Sequence, residues 1–355
     1  MKIAYLLDTY PSNSETFIAR EIEALRRHGF EIEVFAFNAG EGATPIHQSW
    51  REKLSPRRWQ NVGANLDLRA FAHVHAGWAN HLALVAQSAA KRAGIPWSFS
   101  AHARDLWVEG GDLKAKLASA KFATSCTLAG TRELQKYGTN VIYAPHGLEL
   151  KRYKFRRFQP RPNKPVRIVG VGRLVEKKGW FEAIHSVDVL NSQFQRAHLR
   201  LIGEGPLAAE LHKRGFHRLD WYKQKGCIRP EGLHWYGALP HLQAIKVMRR
   251  CDCLVLPSRQ TREGDRDGLA NVLLEAAALG LPIVTTNAGS ASDFVDDTTG
   301  LIVDAGDTTA LTYALARVFQ TPEQTKLRCE NARRRIEERF DVERNIEVLA
   351  RAFRS

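Results

Sequence analysis

The sequence contains few cysteines and no long apolar run, and these two absences exclude several classes of protein. No stretch of about 18 or more apolar residues occurs, so we predict no transmembrane helix. The five cysteines are scattered and odd in number, which favours free thiols in a reducing compartment over a disulfide framework. The first residues turn acidic at Asp8 after a short apolar run, so we expect a first strand rather than a signal peptide, and a cytoplasmic location.

Sequence signals for a metal site and for a dinucleotide site are also lacking. Cys251 and Cys253 stand close together, but no second cysteine or histidine pair accompanies them at ligand spacing, and we predict no metal site. Gly170 and Gly172 follow a predicted strand, yet the third glycine of the dinucleotide fingerprint and a clear acidic residue about 20 positions later are missing. We therefore reject a dinucleotide site and expect no cofactor.

The chain of 355 residues is long enough for two domains, and it is basic. Lysine and arginine number 52 against 38 aspartates and glutamates, which gives a net charge of +14. A basic surface suits nucleic acid, an anionic membrane or an anionic substrate. No known nucleic-acid-binding module is recognisable, so we expect no nucleic-acid partner and retain the other two classes.

Short apolar runs alternate with helical patterns along the chain, beginning with a strand at 2–8 and a helix at 15–28. This order predicts parallel sheets, whose ligand sites lie outside the carboxyl ends of the strands. Residues 38–70 lack a clear period and fit either a solvated loop with a short helix or an amphipathic surface helix around 48–60. Residues 150–165 are basic and contain three prolines, which predicts a linker between two halves of the chain.

The most informative stretch, residues 254–286, predicts a strand, a charged loop, a helix from about Leu269 and a second strand. The start of a helix presents free N–H groups and a positive dipole end, which suit a phosphate. Asp267 and Glu275 flank that helix start, and carboxylates beside a phosphate site suggest a sugar nucleotide as ligand. The alternative is a solvated loop before a surface helix. Glu275 counts against it, because it lies in an otherwise apolar helix and needs a buried partner.

The segment Asp-Gly-Leu-Ala-Asn-Val-Leu-Leu-Glu that begins at Asp267 resembles the acidic–seven–Glu motif of retaining GT-B glycosyltransferases in glycosyltransferase family 4. Within that family, the segment most resembles the exopolysaccharide and colanic-acid-type branch. The family usually has Glu where Asp267 stands and Pro where Ala270 stands. The resemblance implies an α/β fold of two Rossmann-like parallel-sheet domains that face each other across a cleft. It implies an acceptor-side domain at 1–155, a nucleotide-sugar donor domain at 156–340 and, at 341–355, a helix that crosses back to the first domain.

The resemblance assigns two cations in the second half of the chain to the donor diphosphate. Arg173 and Lys178 match the family motif Gly-Arg-Leu-x-x-x-Lys-Gly, in which these residues bind that group. The chemical reason is that the leaving nucleoside diphosphate gains negative charge, which fixed cations can neutralise without a metal. The neighbouring Lys177 is expected to be solvated.

Further donor contacts are implied for backbone and carboxylate groups at Glu204, Gly268, Leu269, Ala270 and Glu275. Glu204 lies in a Gly-Glu-Gly-Pro signature beside the nucleotide, and the three residues from Gly268 form the helix start that would assist at the diphosphate. Glu275 would bind the ribose hydroxyls. Asp267 would bind hydroxyls of the donor sugar.

The first half of the chain carries a second set of candidates. His102 and Asp105 follow a predicted strand and match the family's His-x-x-Asp, whose His contacts the donor sugar; a purely structural His102 is the alternative. The turn around His146 resembles a family turn that shapes the cleft. The first-loop candidates for acceptor contacts are Ser14, Glu15 and Thr16. A Ser14 that caps the following helix is compatible with that role.

The implied catalytic set is His102, Asp267, Arg173 and Lys178. The implied reaction moves a sugar from a nucleoside diphosphate sugar to a glycan or polyprenyl-pyrophosphate-linked acceptor in polysaccharide biosynthesis, by metal-independent front-face attack with retention. We expect a hexosyltransferase-type enzyme, with peripheral attachment to the anionic inner face of a membrane as a further expectation. Two alternatives stay open. One is another GT-B enzyme, a sugar phosphorylase or a nucleotide-sugar epimerase, and the other is a non-catalytic basic scaffold that binds membrane or polymer.

Overall fold

The computed structural model describes residues 1–12, 15–49, 53–55, 57–161, 164–194, 196–214, 216 and 233–355. These residues form two compact units, each with its own parallel sheet. Unit 1 comprises Met1–Glu149 and Phe340–Ser355, and unit 2 comprises Leu150–Arg339. The predicted class, α/β with two Rossmann-like parallel sheets, is confirmed.

Thirteen strands build the two sheets in the described part of the chain, and every ladder between neighbours is parallel. They are β1 (Lys2–Tyr10), β2 (Glu31–Ala39), β3 (Ala43–Pro45), β4 (His73–Ala76), β5 (Trp97–Ala101), β6 (Phe122–Ser125), β7 (Val141–Tyr143), β8 (Val166–Val171), β9 (Ala197–Ile202), β10 (Leu233–Trp235), β11 (Cys253–Leu256), β12 (Ile283–Thr286) and β13 (Leu301–Val303). The order is β3-β2-β1-β4-β5-β6-β7 in unit 1 and β10-β9-β8-β11-β12-β13 in unit 2.

Helices form most of the crossover connections between the parallel strands. They are α1 (Thr16–Arg27), α2 (Arg58–Asn65), α3 (His81–Ala93), α4 (Ala103–Trp107), α5 (Leu113–Ser119), α6 (Leu128–Gln135), α7 (Trp180–Gln193), α8 (Ala208–Lys213), α9 (His241–Met248), α10 (Asn271–Leu279), α11 (Thr308–Gln320), α12 (Pro322–Arg339) and α13 (Val342–Arg354). Short 3-10 turns occupy Leu150–Arg152, Glu176–Lys178 and Ala291–Asp293. Within the described ranges, none of the helices has the length and apolar character needed to cross a bilayer.

The central strands of unit 1 are buried along their whole length, because helices cover both faces of a parallel sheet. All four residues of β4 are buried, including His73 and His75. Each imidazole bonds the hydroxyl of Ser98, at 2.7 Å and 2.8 Å respectively, and His75 also bonds Ser100 at 3.0 Å. Ser98 therefore links the two imidazoles inside the core, while Nδ1 of His73 has no hydrogen-bond partner among the described residues.

The described residues of the segment at 38–70 include a short helix, as one of the two alternatives expected, but the segment also holds structure that was not predicted. It contains the edge strand β3, which was not predicted, and a helix that begins only at Arg58. Val62 and Gly63 of that helix are buried, and a side chain at Gly63 would collide with the backbone oxygen of Val85 in α3. Helix α2 therefore packs one face on the fold, while Gln60, Asn61 and Asn65 are exposed. Residues 50–52 and 56 lie outside the described residues.

The C-terminal helix α13 packs into unit 1 and supports the turn after β7. Asp341 caps its start by accepting from the backbone N–H groups of Glu343 and Arg344. Nδ2 of Asn345 donates to the backbone oxygen of Pro145 at 3.1 Å. Near the other end, Phe353 is only 1% exposed and packs edge-on against the rings of Phe30, His73 and Phe122.

The segment that follows Glu149 is bonded into unit 2, although its composition predicted a linker. The backbone N–H of Arg156 donates to the oxygen of Leu279 at 3.0 Å. Arg161 reaches the buried carboxylate of Asp252 at 2.5 Å, and Arg167 reaches it at 3.0 Å. Burial alone would raise the pKa of Asp252, but the hydrogen bonds and charges of the two arginines outweigh it and lower that pKa.

We expect Phe353→Ala to lower the free energy of unfolding by about 3–5 kcal/mol, because it leaves a cavity among aromatic rings that cannot collapse fully. Urea unfolding followed by circular dichroism measures the effect. Arg351→Ala is the matched control on the exposed side of α13, and we expect it to change stability by less than about 0.5 kcal/mol. Equal effects of the two substitutions would contradict the placement of this helix.

Candidate functional site

Three loops of unit 2 meet at the carboxyl ends of β8, β9 and β11. The loop after β8 bonds the loop after β9 through the backbone N–H of Leu174 and the oxygen of Glu204, at 2.8 Å. It bonds the loop after β11 through the N–H of Arg259 and the oxygen of Lys177, also at 2.8 Å. The approach is close because Gly179 has a φ of +65° and a side chain there would collide with the oxygen of Pro257.

The structure joins two of the predicted site residues, Lys178 and Asp267, in a direct ion pair. Nζ of Lys178 lies 2.7 Å from Oδ2 of Asp267, and Oγ of Ser258 donates to the same oxygen at 2.6 Å. Asp267 is 8% exposed. Burial alone would raise its pKa, but the charge and hydrogen bond of Lys178, the bond from Ser258 and the charge of Lys177 lower it overall.

Lys177 was predicted to be solvated, and that prediction is wrong. The side chain is buried, with Nζ 2.9 Å from Oδ1 of Asp265 and 4.0 Å from Oδ1 of Asp267. The 3-10 turn at Glu176–Lys178 directs both lysines inward, and a buried ammonium is stable only beside an anion. Asp265 supplies that anion, which gives the charged insert before Asp267 a structural role.

Arg173 and the residues before α10 lie at the same edge of the sheet. The Arg173 side chain is exposed, while its backbone oxygen accepts from Nε1 of Trp180 at 2.8 Å. The helix begins at Asn271 with Ala270 at its N-cap position, two residues later than predicted. Gly268 and Leu269 therefore belong to the approach to the helix rather than to its first turn.

Glu275 is buried in α10 with two partners, as the sequence required of a carboxylate in an apolar helix. Nε2 of His241 lies 2.8 Å from Oε1 of Glu275, and the hydroxyl of Tyr153 donates to the same oxygen at 3.4 Å. Neither partner was predicted: Tyr153 lies in the segment read as a linker, and His241 carried no signal beyond its place near a helix start.

In unit 1, the predicted His-x-x-Asp pair stands at the start of α4. Asp105 accepts hydrogen bonds from the backbone N–H groups of His102, at 2.8 Å, and Ala79, at 2.5 Å. Lys116 adds bonds from its ammonium to the oxygens of Ala79 and Gly110, each at 2.6 Å. Asp105 therefore fixes the backbone around His102 and has a positioning role within this unit.

The His102 imidazole lies in an aromatic environment. Its ring centre is 4.3 Å from that of Trp78, 5.3 Å from Phe17 and 5.4 Å from His146. Burial lowers the pKa of His102 to about 3, so the ring is neutral at neutral pH. It can accept or donate a hydrogen bond, but it brings no positive charge.

The first-loop candidates are described only in part. Ser14 lies outside the described residues, and the N-cap position expected for it is that of another residue. Glu15 occupies the N-cap position of α1 and Thr16 is the first helical residue, both half-buried. Glu204, the remaining donor candidate, is half-buried in the loop that follows β9.

With this geometry in place, comparison with known proteins is informative. Residues 151–335 match the family described as Glycosyl transferases group 1. The chain belongs to this family. The predicted enzyme class, a glycosyltransferase of the hexosyltransferase type, is thereby confirmed, and the non-catalytic scaffold is not retained.

Relatives of this group 1 glycosyltransferase include proteins named for exopolysaccharide synthesis. The chain is 26% identical over 386 residues to WcaL of Escherichia coli K12, a protein named for colanic acid biosynthesis, with coverage of 90% of this chain and 91% of that protein. It is 29% identical over 175 residues to the amylovoran biosynthesis glycosyltransferase AmsK of Erwinia amylovora, which covers 49% and 40% of the two chains. The predicted resemblance to this branch is confirmed.

Solved structures support the fold. The crystal structure of Anabaena HepE in complex with UDP-glucose has a TM-score of 0.77 and 17% identity, and the match covers 100% of this chain and 99% of that one. At that identity, the likeness shows the fold alone. The GT-B class predicted from the motifs is confirmed for this glycosyltransferase.

Asp267→Asn should cost this glycosyltransferase about 3 kcal/mol of stability at neutral pH, because it leaves Lys178 without its anion. The folded-state pKa of Asp267 lies below its ordinary value. Its contribution is therefore complete above about pH 5 and is lost as the pH falls below about 3.9 toward the folded value. Urea unfolding at a series of pH values should show the difference between the two proteins shrinking in acid.

The control for this series is Asp297→Asn, which changes an exposed aspartate of the same unit. We expect its stability to follow that of the unchanged protein at every pH. A stability difference for Asp267→Asn that stayed constant down to about pH 3 would show that the carboxylate is not stabilised by these cations.

Proposed function

We propose that this glycosyltransferase moves a sugar from a nucleoside diphosphate sugar to a glycan or polyprenyl-pyrophosphate-linked acceptor in polysaccharide biosynthesis. The observation that carries the proposal is the pair of Lys178 and Asp267, a cation and an anion held side by side beside the start of α10. The names of WcaL and AmsK support the biosynthetic role. The UDP-glucose bound to HepE supports a nucleotide sugar as donor.

The diphosphate of the donor is the group best matched to Lys178. Its oxygens carry more negative charge than the carboxylate of Asp267 and can draw the ammonium away from it. Arg173 has an exposed guanidinium on the same loop, and the helix dipole of α10 favours an anion at Gly268–Ala270. As the glycosidic bond breaks, these groups stabilise the charge that develops on the leaving diphosphate.

Asp267 keeps a counter-ion when Lys178 turns to the diphosphate. Lys177 already lies 4.0 Å from its other carboxylate oxygen, and Ser258 continues to donate a hydrogen bond. An ionised, oriented carboxylate is then available to accept hydrogen bonds from hydroxyls of the donor sugar. In this scheme the two adjacent lysines have different roles: Lys178 binds the diphosphate of the ligand, and Lys177 balances the charge of Asp267.

Glu275 is proposed to bind the ribose hydroxyls. His241 and Tyr153 hold its carboxylate in one orientation. Ligand binding therefore costs little side-chain entropy at Glu275. Glu204 is proposed to lie near the nucleotide, while Glu15 and Thr16 are proposed as acceptor contacts.

We further propose retention by front-face attack, in which the leaving phosphate helps to take the proton of the acceptor hydroxyl. The neutral imidazole of His102 is proposed to hydrogen-bond the donor sugar. These two statements rest on the resemblance to retaining family 4 enzymes. Proton NMR of the product tests the stereochemistry directly: an anomeric configuration opposite to that of the donor would overturn retention.

Peripheral membrane attachment remains a proposal that rests on the net charge of +14. We expect the protein to sediment with anionic vesicles at low salt and to be released as the ionic strength rises. Neutral vesicles are the control. Absence of binding to anionic vesicles at low salt would contradict the proposal.

Glu275→Gln should weaken the binding of a nucleotide sugar roughly tenfold or more, because a charge-assisted hydrogen bond to ribose is lost while the side chain keeps its shape. Calorimetric titration against a panel that begins with UDP-glucose measures this, and it also identifies the preferred donor. Glu323→Gln, an exposed glutamate on α12, is the matched control. Unchanged affinity in a folded Glu275→Gln protein would rule out the ribose assignment.

A further inference from the structure

Three side chains of unit 1 with metal-binding chemistry converge at one edge of its sheet. His102 follows β5, Cys126 follows β6 and His146 lies just beyond β7. These three strands are neighbours in the sheet, so their carboxyl ends bring together residues that are far apart in sequence. One potential ligand atom from each side chain lies within 4.8 Å of those of the other two.

The placement of the two imidazoles is compatible with one shared metal ion. Their ring centres are 5.4 Å apart and their planes are inclined by only 12°. Two imidazoles on one tetrahedral zinc, at about 2.1 Å per Zn–N bond, have ring centres roughly 5 Å apart. Ligand atoms around such an ion are about 3.5 Å apart, so small side-chain rotations would close the cluster.

The donor types select the metal. Two imidazoles and one thiolate suit Zn²⁺, whereas Mg²⁺ and Ca²⁺ prefer oxygen ligands. Nδ1 of His102 is buried and makes no regular hydrogen bond among the described residues, although the His102 side chain faces the backbone N–H of Asp105 at the start of α4.

One nearby charge opposes a cation. Arg20 is buried, and its charge contributes to the lowered pKa of His146. A thiolate at Cys126 would offset part of the charge of a divalent ion, which is the reason that a set with one cysteine is better suited here than three histidines. Phe17 and Trp78 line the His102 ring and limit access of water.

We propose that His102, Cys126 and His146 bind one Zn²⁺, with the fourth position open to water. The thiol of Cys126 loses its proton to solvent as the Zn–S bond forms, and no electron is transferred. Zinc bound in this way occupies His102 and so competes with the contact to the donor sugar. This inhibitory consequence rests on the proposed function, whereas the binding itself does not.

Cobalt(II) is the probe for the site, because its tetrahedral complexes absorb visible light and a Co–thiolate bond adds a near-ultraviolet band. We expect the full-length protein, freed of metal, to show both features with one equivalent of Co²⁺, and Zn²⁺ to abolish them. Cys126→Ser should lose the near-ultraviolet band, and His146→Ala should lose the tetrahedral visible spectrum. Full-length protein with no visible Co²⁺ absorption would overturn the proposal.

Two control variants separate a site from adventitious binding. Cys329→Ser removes a buried thiol of unit 2, and His47→Ala removes an exposed histidine of unit 1. We expect both to keep the complete spectrum. Loss of the thiolate band in Cys329→Ser, or its persistence in Cys126→Ser, would assign the sulfur ligand elsewhere and refute the site.

A measurement on the unmodified protein guards against variants that fail to fold. Iodoacetamide labelling of Cys126, followed by mass spectrometry of its peptide, should be slowed roughly tenfold by Zn²⁺ and restored by EDTA. Equal labelling with and without Zn²⁺ would contradict binding at Cys126. Neither the Co²⁺ spectrum nor the labelling rate of Cys126 depends on transferase activity. If Zn²⁺ protects Cys126 without inhibiting the transferase, the metal site stands and the role of His102 in the proposed function is refuted.

Discussion

The buried carboxylate of Asp267 needs a cation, and this requirement ties together the loops of unit 2. Lys178 comes from the loop after β8, while Asp267 and Ser258 come from the segment between β11 and α10. Lys177 meets Asp265 of the same segment. The candidate donor site is thus held in shape before any ligand arrives, and the groups that hold it are the groups that we propose to bind the ligand.

Parallel sheets explain why each unit has its candidate functional side chains at one edge of its sheet. The carboxyl ends of neighbouring strands adjoin, so loops that are distant in sequence supply side chains to a common place. In unit 2 these are lysines and carboxylates that suit a diphosphate and hydroxyl groups. In unit 1 they are His102, Cys126 and His146, a neutral set that suits hydroxyl groups or a soft metal ion.

The periodic patterns predicted the strand at 2–8 and the helix at 15–28 closely, because burial in a parallel sheet and under its helices leaves a strong signal in local sequence. Partners across the fold were harder to predict. Glu275 was expected to need a partner, but His241 and Tyr153 become its neighbours only through tertiary packing. Lys177 was predicted to be solvated because charged side chains are usually exposed. In the structure, a 3-10 turn directs Lys177 toward Asp265, 88 residues later in the chain, and the side chain is buried. The role of Ser258 could have been predicted, because it is a polar residue two positions after a buried strand.

The competition of Asp267 and a diphosphate for Lys178 is the central claim, and the affinity of Asp267→Asn for UDP without a sugar tests it most directly. If Asp267 competes with the diphosphate, removal of its charge should tighten UDP binding. This gain should vanish when Lys178→Met is added, because the two residues then no longer interact. A fall in UDP affinity in Asp267→Asn, or the same gain in the presence and absence of Lys178, would contradict the claim.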